Sequence, residues 1–204
     1  LDLCRECEAD LARDLPSCTG CARPLPQPVP FLCGDCLRAP RRFDAAFAAY
    51  RYEHPLDWLV RRMKYGGDIA TARVLGTLLG RRLAAGHALH VEALVPVPLH
   101  RAREADRGFN QAIEIAQAAG REVMLPVVWD ACRRRRATVE QAGLDADARR
   151  HNLRGAFDLV RPLRQRRVAI VDDVMTTGST VEELARVLKQ GGAEWVEVWA
   201  VARA

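Results

Sequence analysis

One stretch constrains this chain more than any other: Val168-Ala169-Ile170-Val171-Asp172-Asp173-Val174-Met175-Thr176-Thr177-Gly178-Ser179-Thr180. Its opening apolar run, Val168 to Val171, predicts a strand buried on both faces, as in a parallel sheet. Asp172 and Asp173 would then emerge at the C-terminal edge of that sheet, where open α/β folds bind ligands. Carboxylates there can accept hydrogen bonds from vicinal ribose hydroxyls. Thr176, Thr177, Ser179 and Thr180 add hydroxyls, and Gly178 permits close backbone approach. Amides at the start of the helix predicted over about residues 180–190 make a seat for a dianionic 5′-phosphate. Thr-Thr-Gly-Ser-Thr alone would read as an ordinary helix start. The apolar run and the paired acid ahead of it are what point to a ligand. The chain has neither a G-x-x-x-x-G-K-[ST] loop nor a G-x-G-x-x-G fingerprint, which argues against a nucleotide hydrolase or a dinucleotide dehydrogenase.

The remainder fits the α/β class. Phe43 to Tyr52 alternates weakly, as a strand does. Leu56, Leu59, Val60 and Met63 recur at helical spacing up to Gly66-Gly67, and Val74, Leu75, Leu78, Leu79 and Leu83 repeat the pattern. Ala93 to Pro98 reads as a strand that leads through a basic loop into a helix around Gln111 to Ala119. Val123 to Trp129 is a further strand candidate, and Arg133 to Ala148 reads as a long polar loop. Trp195 to Val201 completes a βαβ unit with the 168–190 segment. Strands alternating with helices predict a mainly parallel sheet with helices on both faces.

The first 36 residues hold three C-x-x-C pairs, Cys4/Cys7, Cys18/Cys21 and Cys33/Cys36. Such pairing points to metal ligation: a tight turn brings two thiolates to one tetrahedral zinc ion, and two turns close the site. Cys18, Cys21, Cys33 and Cys36 form one complete set. Leu3-Cys4-Arg5-Glu6-Cys7 resembles the segment at Leu32-Cys33, as though it closed an earlier copy of the same unit. The chain opens on Leu1 and not on methionine, so the missing partner pair is expected upstream; an interleaved arrangement is the alternative. So small a module cannot build an apolar core, and metal binding would supply much of its folding energy. Pro24, Pro26, Pro28 and Pro30 lie between its last two pairs, and Ala39-Pro40-Arg41-Arg42 reads as a linker. The expected division is therefore a zinc-ribbon module over 1–40 and an α/β domain over 41–204. Cys132, beside Val127-Val128-Trp129, is expected to be a buried small side chain without a role.

A net charge of +5 rests almost wholly on arginine, with lysine only at Lys64 and Lys189. Arginine suits phosphate and nucleic acid, although a solvated arginine surface accounts for the charge equally well. No run approaches the length of a membrane span and the start lacks a signal peptide, so a cytoplasmic protein without membrane insertion is expected.

The 168–180 segment resembles the thirteen-residue phosphoribosyl-pyrophosphate (PRPP) motif of type I phosphoribosyltransferases, matched in full. Further blocks resemble the ComF family of competence-associated, phosphoribosyltransferase-like proteins: Met63-Lys64-Tyr65-Gly66-Gly67, Val95-Pro96-Val97-Pro98-Leu99, Arg107-Gly108-Phe109-Asn110-Gln111, Gln141 with Arg149 and Asn152, and Gly155-Ala156-Phe157. The resemblance implies a type I phosphoribosyltransferase-like fold and a role in DNA uptake and natural transformation. By it, Asp172 and Asp173 hold the ribose, Thr176 to Thr180 the 5′-phosphate, and Arg103 and Arg107 the pyrophosphate, with magnesium accompanying PRPP. Arg101, Arg103 and Arg107 have a solvated basic face as their alternative reading. Arg133 to Arg136 stand where relatives carry a mobile catalytic loop, and could meet pyrophosphate or a nucleic-acid backbone. Lys64, with Arg61 and Arg62, falls on the polar face of its helix. Two functions are implied. One is a PRPP-binding protein that handles single-stranded DNA, with a DNA translocase of the competence machinery as a partner. The alternative is a magnesium-dependent enzyme, with Asp172, Asp173 and Arg107 catalytic, that transfers ribose 5-phosphate to a nitrogen acceptor.

Overall fold

The computed structural model describes residues 3–11, 16–26, 32–86, 90–136 and 153–204. Gln141, Arg149, Asn152, Pro28, Pro30 and the part of the expected long loop from residue 137 onward lie outside them. In chain order the elements are α1 (Arg5–Ala9), α2 (Gly34–Arg38), β1 (Ala45–Arg51), α3 (Leu56–Gly66), α4 (Ile69–Gly86), β2 (Ala93–Pro96), α5 (Arg101–Arg107), α6 (Gln111–Val123), β3 (Cys132–Arg134), β4 (Phe157–Leu159), β5 (Arg167–Met175), α7 (Ser179–Gln190) and β6 (Trp195–Arg203).

Four strands form one sheet in the order β1-β6-β5-β2, and every neighbouring pair is parallel. Alternation along β5 explains why its apolar run is continuous. Val168 and Ile170 pack with Val181, Leu184 and Leu188 of α7. Ala169 and Val171 belong instead to the core built with Val60 and Met63 of α3, Leu75 and Leu79 of α4, and Ile115 of α6. The fold is thus a mainly parallel sheet covered by helices on both faces. Each fully buried Val, Leu or Ile contributes about 1.5–3 kcal/mol through removal from water.

Small residues let α4 and α6 approach closely. A Cβ on Gly76 would stand 2.4 Å from the Ile115 carbonyl oxygen, and one on Gly80 would stand 2.6 Å from the Glu122 Cβ. Packing at this range fixes where α6 begins, and hence where Gln111 sits. Asn110 caps that start: its Oδ1 accepts from the Ala112 amide at 2.9 Å and its Nδ2 donates to the Val97 carbonyl at 3.2 Å. The loop leaving β2 is thereby tied to α6.

Three expectations are corrected. The basic stretch before α6 is not a loop but the helix α5, started by His100, whose Nδ1 accepts from the Ala102 amide. Val123 to Trp129 forms no full strand; α6 runs to Val123, Met124 closes it at φ 56, and a single parallel bridge joins Leu94 to Val127. Arg133 and Arg134 are in the strand β3, antiparallel to β4, because Cys132 and Phe157 are buried in the core on the α7 side of the sheet. Cys132 is buried as expected, and burial alone pushes its thiol up to about 12.

Among the described residues no helix is long and apolar enough to cross a membrane.

Candidate functional site

The strand β5 carries its hydrogen-bonded register through the acidic pair to Met175, which lies beside Arg203 of β6. Both carboxylates are therefore fixed by the sheet, although they are used differently. Asp173 is buried, 3% exposed. Its Oδ1 lies 3.0 Å from the Lys64 ammonium and its Oδ2 accepts from the Gln111 amide at 3.1 Å. The Val174 amide also donates to Oδ1, at 2.6 Å. Asp172 is only partly buried, and its Oδ1 accepts from the Asp173 amide at 2.9 Å. Desolvation, and next the charge on Asp173, push its carboxyl up to about 7, against the pull of Lys64 and Arg134. A carboxyl held there changes its charge near neutrality, which is common where ligands bind.

Lys64 is the residue that patterning placed least well. Its position on a polar helix face suggested surface, yet its side chain is 22% exposed and reaches the buried Asp173. Burial works against its charge, while Asp173 and Asp172 outweigh that and Arg107 opposes them, so its ammonium is held above the ordinary lysine range. Gln111 was quoted as part of a motif without a task. Its Oε1 is buried with no hydrogen-bond partner among the described residues. The usable signal for both was the buried acid itself, since a buried carboxylate needs a cation and donors near it.

The loop after β5 turns sharply and presents hydroxyls at the start of α7. Gly178 has φ 82, the left-handed region, and a Cβ there would find its nearest neighbours only at 3.9 Å. Conformation and not crowding is what calls for glycine. Thr177 and Ser179 hydroxyls lie 2.9 Å apart, and the Glu182 amide bonds the Gly178 carbonyl at 2.9 Å. The Ser179 amide donates to the Thr177 hydroxyl at 3.4 Å, and the first turn of α7, a twelve-residue helix, brings the positive end of its dipole to the loop.

Arg103 and Arg107 stand four residues apart on α5. Both are partly buried, whereas Arg101 is exposed; that spacing puts them on one helix face. Arg107 is close enough to Lys64 to act on its charge. In the 133–136 run, Arg133 and Arg135 both reach Asp158, at 3.4 and 3.2 Å. Arg134 lies over the Phe157 ring at 5.6 Å and acts on the charge of Asp172. The run is thus split between a surface ion-pair cluster and one member turned toward the acidic pair.

Cys18, Cys21, Cys33 and Cys36 come together with all four sulfur atoms within 4.8 Å of one another, each buried. A tetrahedral ion with bonds of about 2.3 Å to sulfur has edges of about 3.8 Å; the Cys21 and Cys33 sulfurs are 3.8 Å apart. The cluster could hold a metal ion, and it fits a small zinc-ribbon module. Burial pushes Cys21 up to about 12, whereas for Cys33 burial is outweighed by hydrogen bonds from the Cys36 backbone and from the other thiols, bringing it to about 7. Arg41, next to Cys36, offsets part of the burial that raises that thiol. Cys4 and Cys7 are exposed and stand apart from this set. Cys4 nevertheless starts α1 with φ −74 and ψ 165, as Cys33 starts α2 with φ −71 and ψ 161. The first pair thus repeats the local geometry of the third.

No family model matches the chain. Competence protein F of Haemophilus influenzae is 36% identical to it over 209 residues, covering 99% of this chain and 90% of that protein. The DNA utilization protein YhgH of Escherichia coli O157:H7 is 36% identical over 210 residues, covering 98% and 90%. Among solved structures, the glutamine PRPP amidotransferase of B. subtilis is similar at a TM-score of 0.43 and 21% identity, over 63% of this chain and 26% of that one, too loose a likeness to bear on the site. Shared identity along nearly the full length of both competence protein F and YhgH is decisive: this chain belongs to the ComF family, that of competence protein F.

Proposed function

We propose that this protein binds PRPP at the C-terminal edge of its sheet and handles single-stranded DNA during DNA uptake. One observation carries the reading. Asp173 spends both its oxygens on Lys64, Gln111 and the Val174 amide, which leaves Asp172 as the partly exposed acceptor at the foot of a glycine-turned anion loop. An acceptor for ribose hydroxyls and a seat for a 5′-phosphate are what a phosphorylated ribose requires, with Lys64, Arg107 and Arg134 gathered as cations around the acid pair. Arg103, on the same face of α5 as Arg107, extends the cationic side toward a diphosphate. Magnesium, when bound with PRPP, would neutralise diphosphate oxygens, and Asp172 is the residue placed to meet its hydration shell. Zinc is the metal proposed for the four-cysteine cluster, with Cys4 and Cys7 left outside it.

The DNA part rests on membership of a family that includes a competence protein and a DNA utilization protein and on the arginine excess. In that role the partner would be a DNA translocase of the uptake machinery.

Thermal melting with PRPP and magnesium tests the ligand. A ligand that binds only the native state raises the melting temperature, by about 2.7 kcal/mol of stability at a hundredfold excess over Kd. Asp172→Asn should lose that response and remain folded; an undiminished response would place the ligand elsewhere.

A further inference from the structure

Between the cysteine-rich segment and α7 lies an open cavity of about 1420 Å³, larger than the roughly 300–1,000 Å³ of small-molecule sites. Thr176, Thr177 and Ser179 of the anion loop line its mouth, and seven arginines face it against Asp35, Glu182 and Glu183. Several of these arginines are committed. Arg23 and Arg38 share Asp35 at 2.5 and 2.7 Å, Arg41 reaches Glu182 at 3.4 Å, and Arg186 reaches Glu183 at 2.6 Å. Arg42 and Arg154 are exposed and form no side-chain hydrogen bond or ion pair among the described residues, although the charge of Arg42 acts on Glu183. The Nε of Arg41 is buried without an acceptor. No lining residue is aromatic.

We propose that this cleft is the channel for the backbone of a single-stranded nucleic acid, with the cysteine module as one of its walls. The inference rests on the DNA-handling reading and gives it a location. An excess of arginine over acid, with two exposed guanidiniums outside any ion pair, suits a string of acceptors better than one phosphate. Absence of aromatic rings from the lining leaves no platform for base stacking, so contact runs through phosphates and ignores sequence. A duplex, stiff over about 150 base pairs, does not bend into a recess between two modules, whereas a single strand does. Continuity with Thr176 and Thr177 puts one phosphate of the strand at the anion loop.

The test is Arg42→Glu with Arg154→Glu, measured by fluorescence anisotropy on labelled oligo-dT and oligo-U of about 20 nucleotides across a salt series. Neither guanidinium forms an ion pair or hydrogen bond among the described residues, and melting shows whether the reversed charge beside Glu183 disturbs the fold. Binding should weaken roughly tenfold, and the salt slope should flatten by about 1.4, that is 0.7 for each lost contact. Arg42→Gln with Arg154→Gln should give a smaller loss in the same direction. The PRPP melting shift should persist in both variants. Comparison of the two oligonucleotides distinguishes DNA from RNA as the strand taken. A wild-type protein that binds oligonucleotides while both double variants bind equally well would overturn the cleft and leave the DNA reading intact; a cleft made for an acidic polypeptide gives this result. A wild-type protein that binds neither oligonucleotide would overturn both.

Discussion

Asp172→Asn tests the electrostatics of the site without any ligand. In the unfolded chain this carboxyl ionises near its ordinary 3.8, and in the fold at about 7, because burial and the neighbouring Asp173 both resist a second charge. Between these values the native state keeps a proton that the unfolded chain has lost. Stability therefore falls as pH rises through that window, and the whole penalty is present above it. At about 1.4 kcal/mol for each tenfold difference in proton affinity, the ceiling is about 4 kcal/mol. Partial exposure and the coupling to Asp173 and Lys64 reduce it, and about 1–2 kcal/mol is expected. Asparagine keeps the shape, and its Oδ1 can still accept from the Asp173 amide. The variant should thus melt about 2–8 °C above wild type near pH 8 for a chain of this length, and the gain should shrink as pH falls and vanish only at about pH 3 and below, where the carboxyl is protonated in both states. Differential scanning fluorimetry from about pH 3 to pH 8 reads this directly. A variant that gains at acid pH and not at alkaline pH, or that loses stability at every pH, would refute the reasoning.

Three further outcomes are expected. Lys64→Met should strand Asp173 with only neutral donors and cost about 2–3 kcal/mol in urea unfolding, short of the 3–5 typical of a wholly buried pair because the lysine is partly exposed. Gly76→Ala should lower stability by about 1–3 kcal/mol despite alanine's better helix propensity, since the new Cβ meets the Ile115 carbonyl at 2.4 Å; a rise in melting temperature would show that α4 and α6 separate freely. Elemental analysis should find about one zinc per chain, and stripping it with a chelator should unfold the cysteine module, leave most of the far-ultraviolet dichroism of the sheet and helices, and weaken the PRPP response.

The sheet was legible because its strands are unusual: buried on two faces, β5 and β2 read as unbroken apolar runs, and Gly66-Gly67 marked a helix end where it occurs. What could not be read shares a cause. α5 has no apolar face, with none of its residues buried, so no periodicity announced it. The strand β3 is three residues long and made largely of arginine, held by Cys132 and by pairing with β4, which is distant in sequence. The link from Lys64 to Asp173 spans more than a hundred positions, and only the topology brings α3 to the end of β5. For the cysteines the reverse held: the last two pairs read as one complete set, with an interleaved arrangement of Cys4 and Cys7 as the alternative, and it is that set which meets.

A buried arginine ties these parts into one mechanical unit. Arg203, 6% exposed at the end of β6, donates from Nε to the Cys21 carbonyl at 3.1 Å and from NH1 to the Met175 carbonyl at 2.8 Å. Burial pulls its guanidinium below the ordinary range, so its charge is tolerated only while those carbonyls are in place. Cys21 is part of the four-cysteine cluster and Met175 directly precedes Thr176 of the loop after β5. The Ala46 amide adds a second tie, to the Thr19 carbonyl at 2.9 Å, and Glu182 accepts from Arg42 and pairs with Arg41 where the cysteine segment enters the sheet domain. The cysteine module is thus joined to the sheet at the strand ends that carry the loop. With zinc bound there as proposed, its loss would release the Cys21 turn, remove an acceptor from Arg203, and loosen the residue from which the loop after β5 springs. If the cluster holds zinc and the loop after β5 seats a phosphate, as proposed, chelation should be felt in the PRPP response and not in the cysteine segment alone.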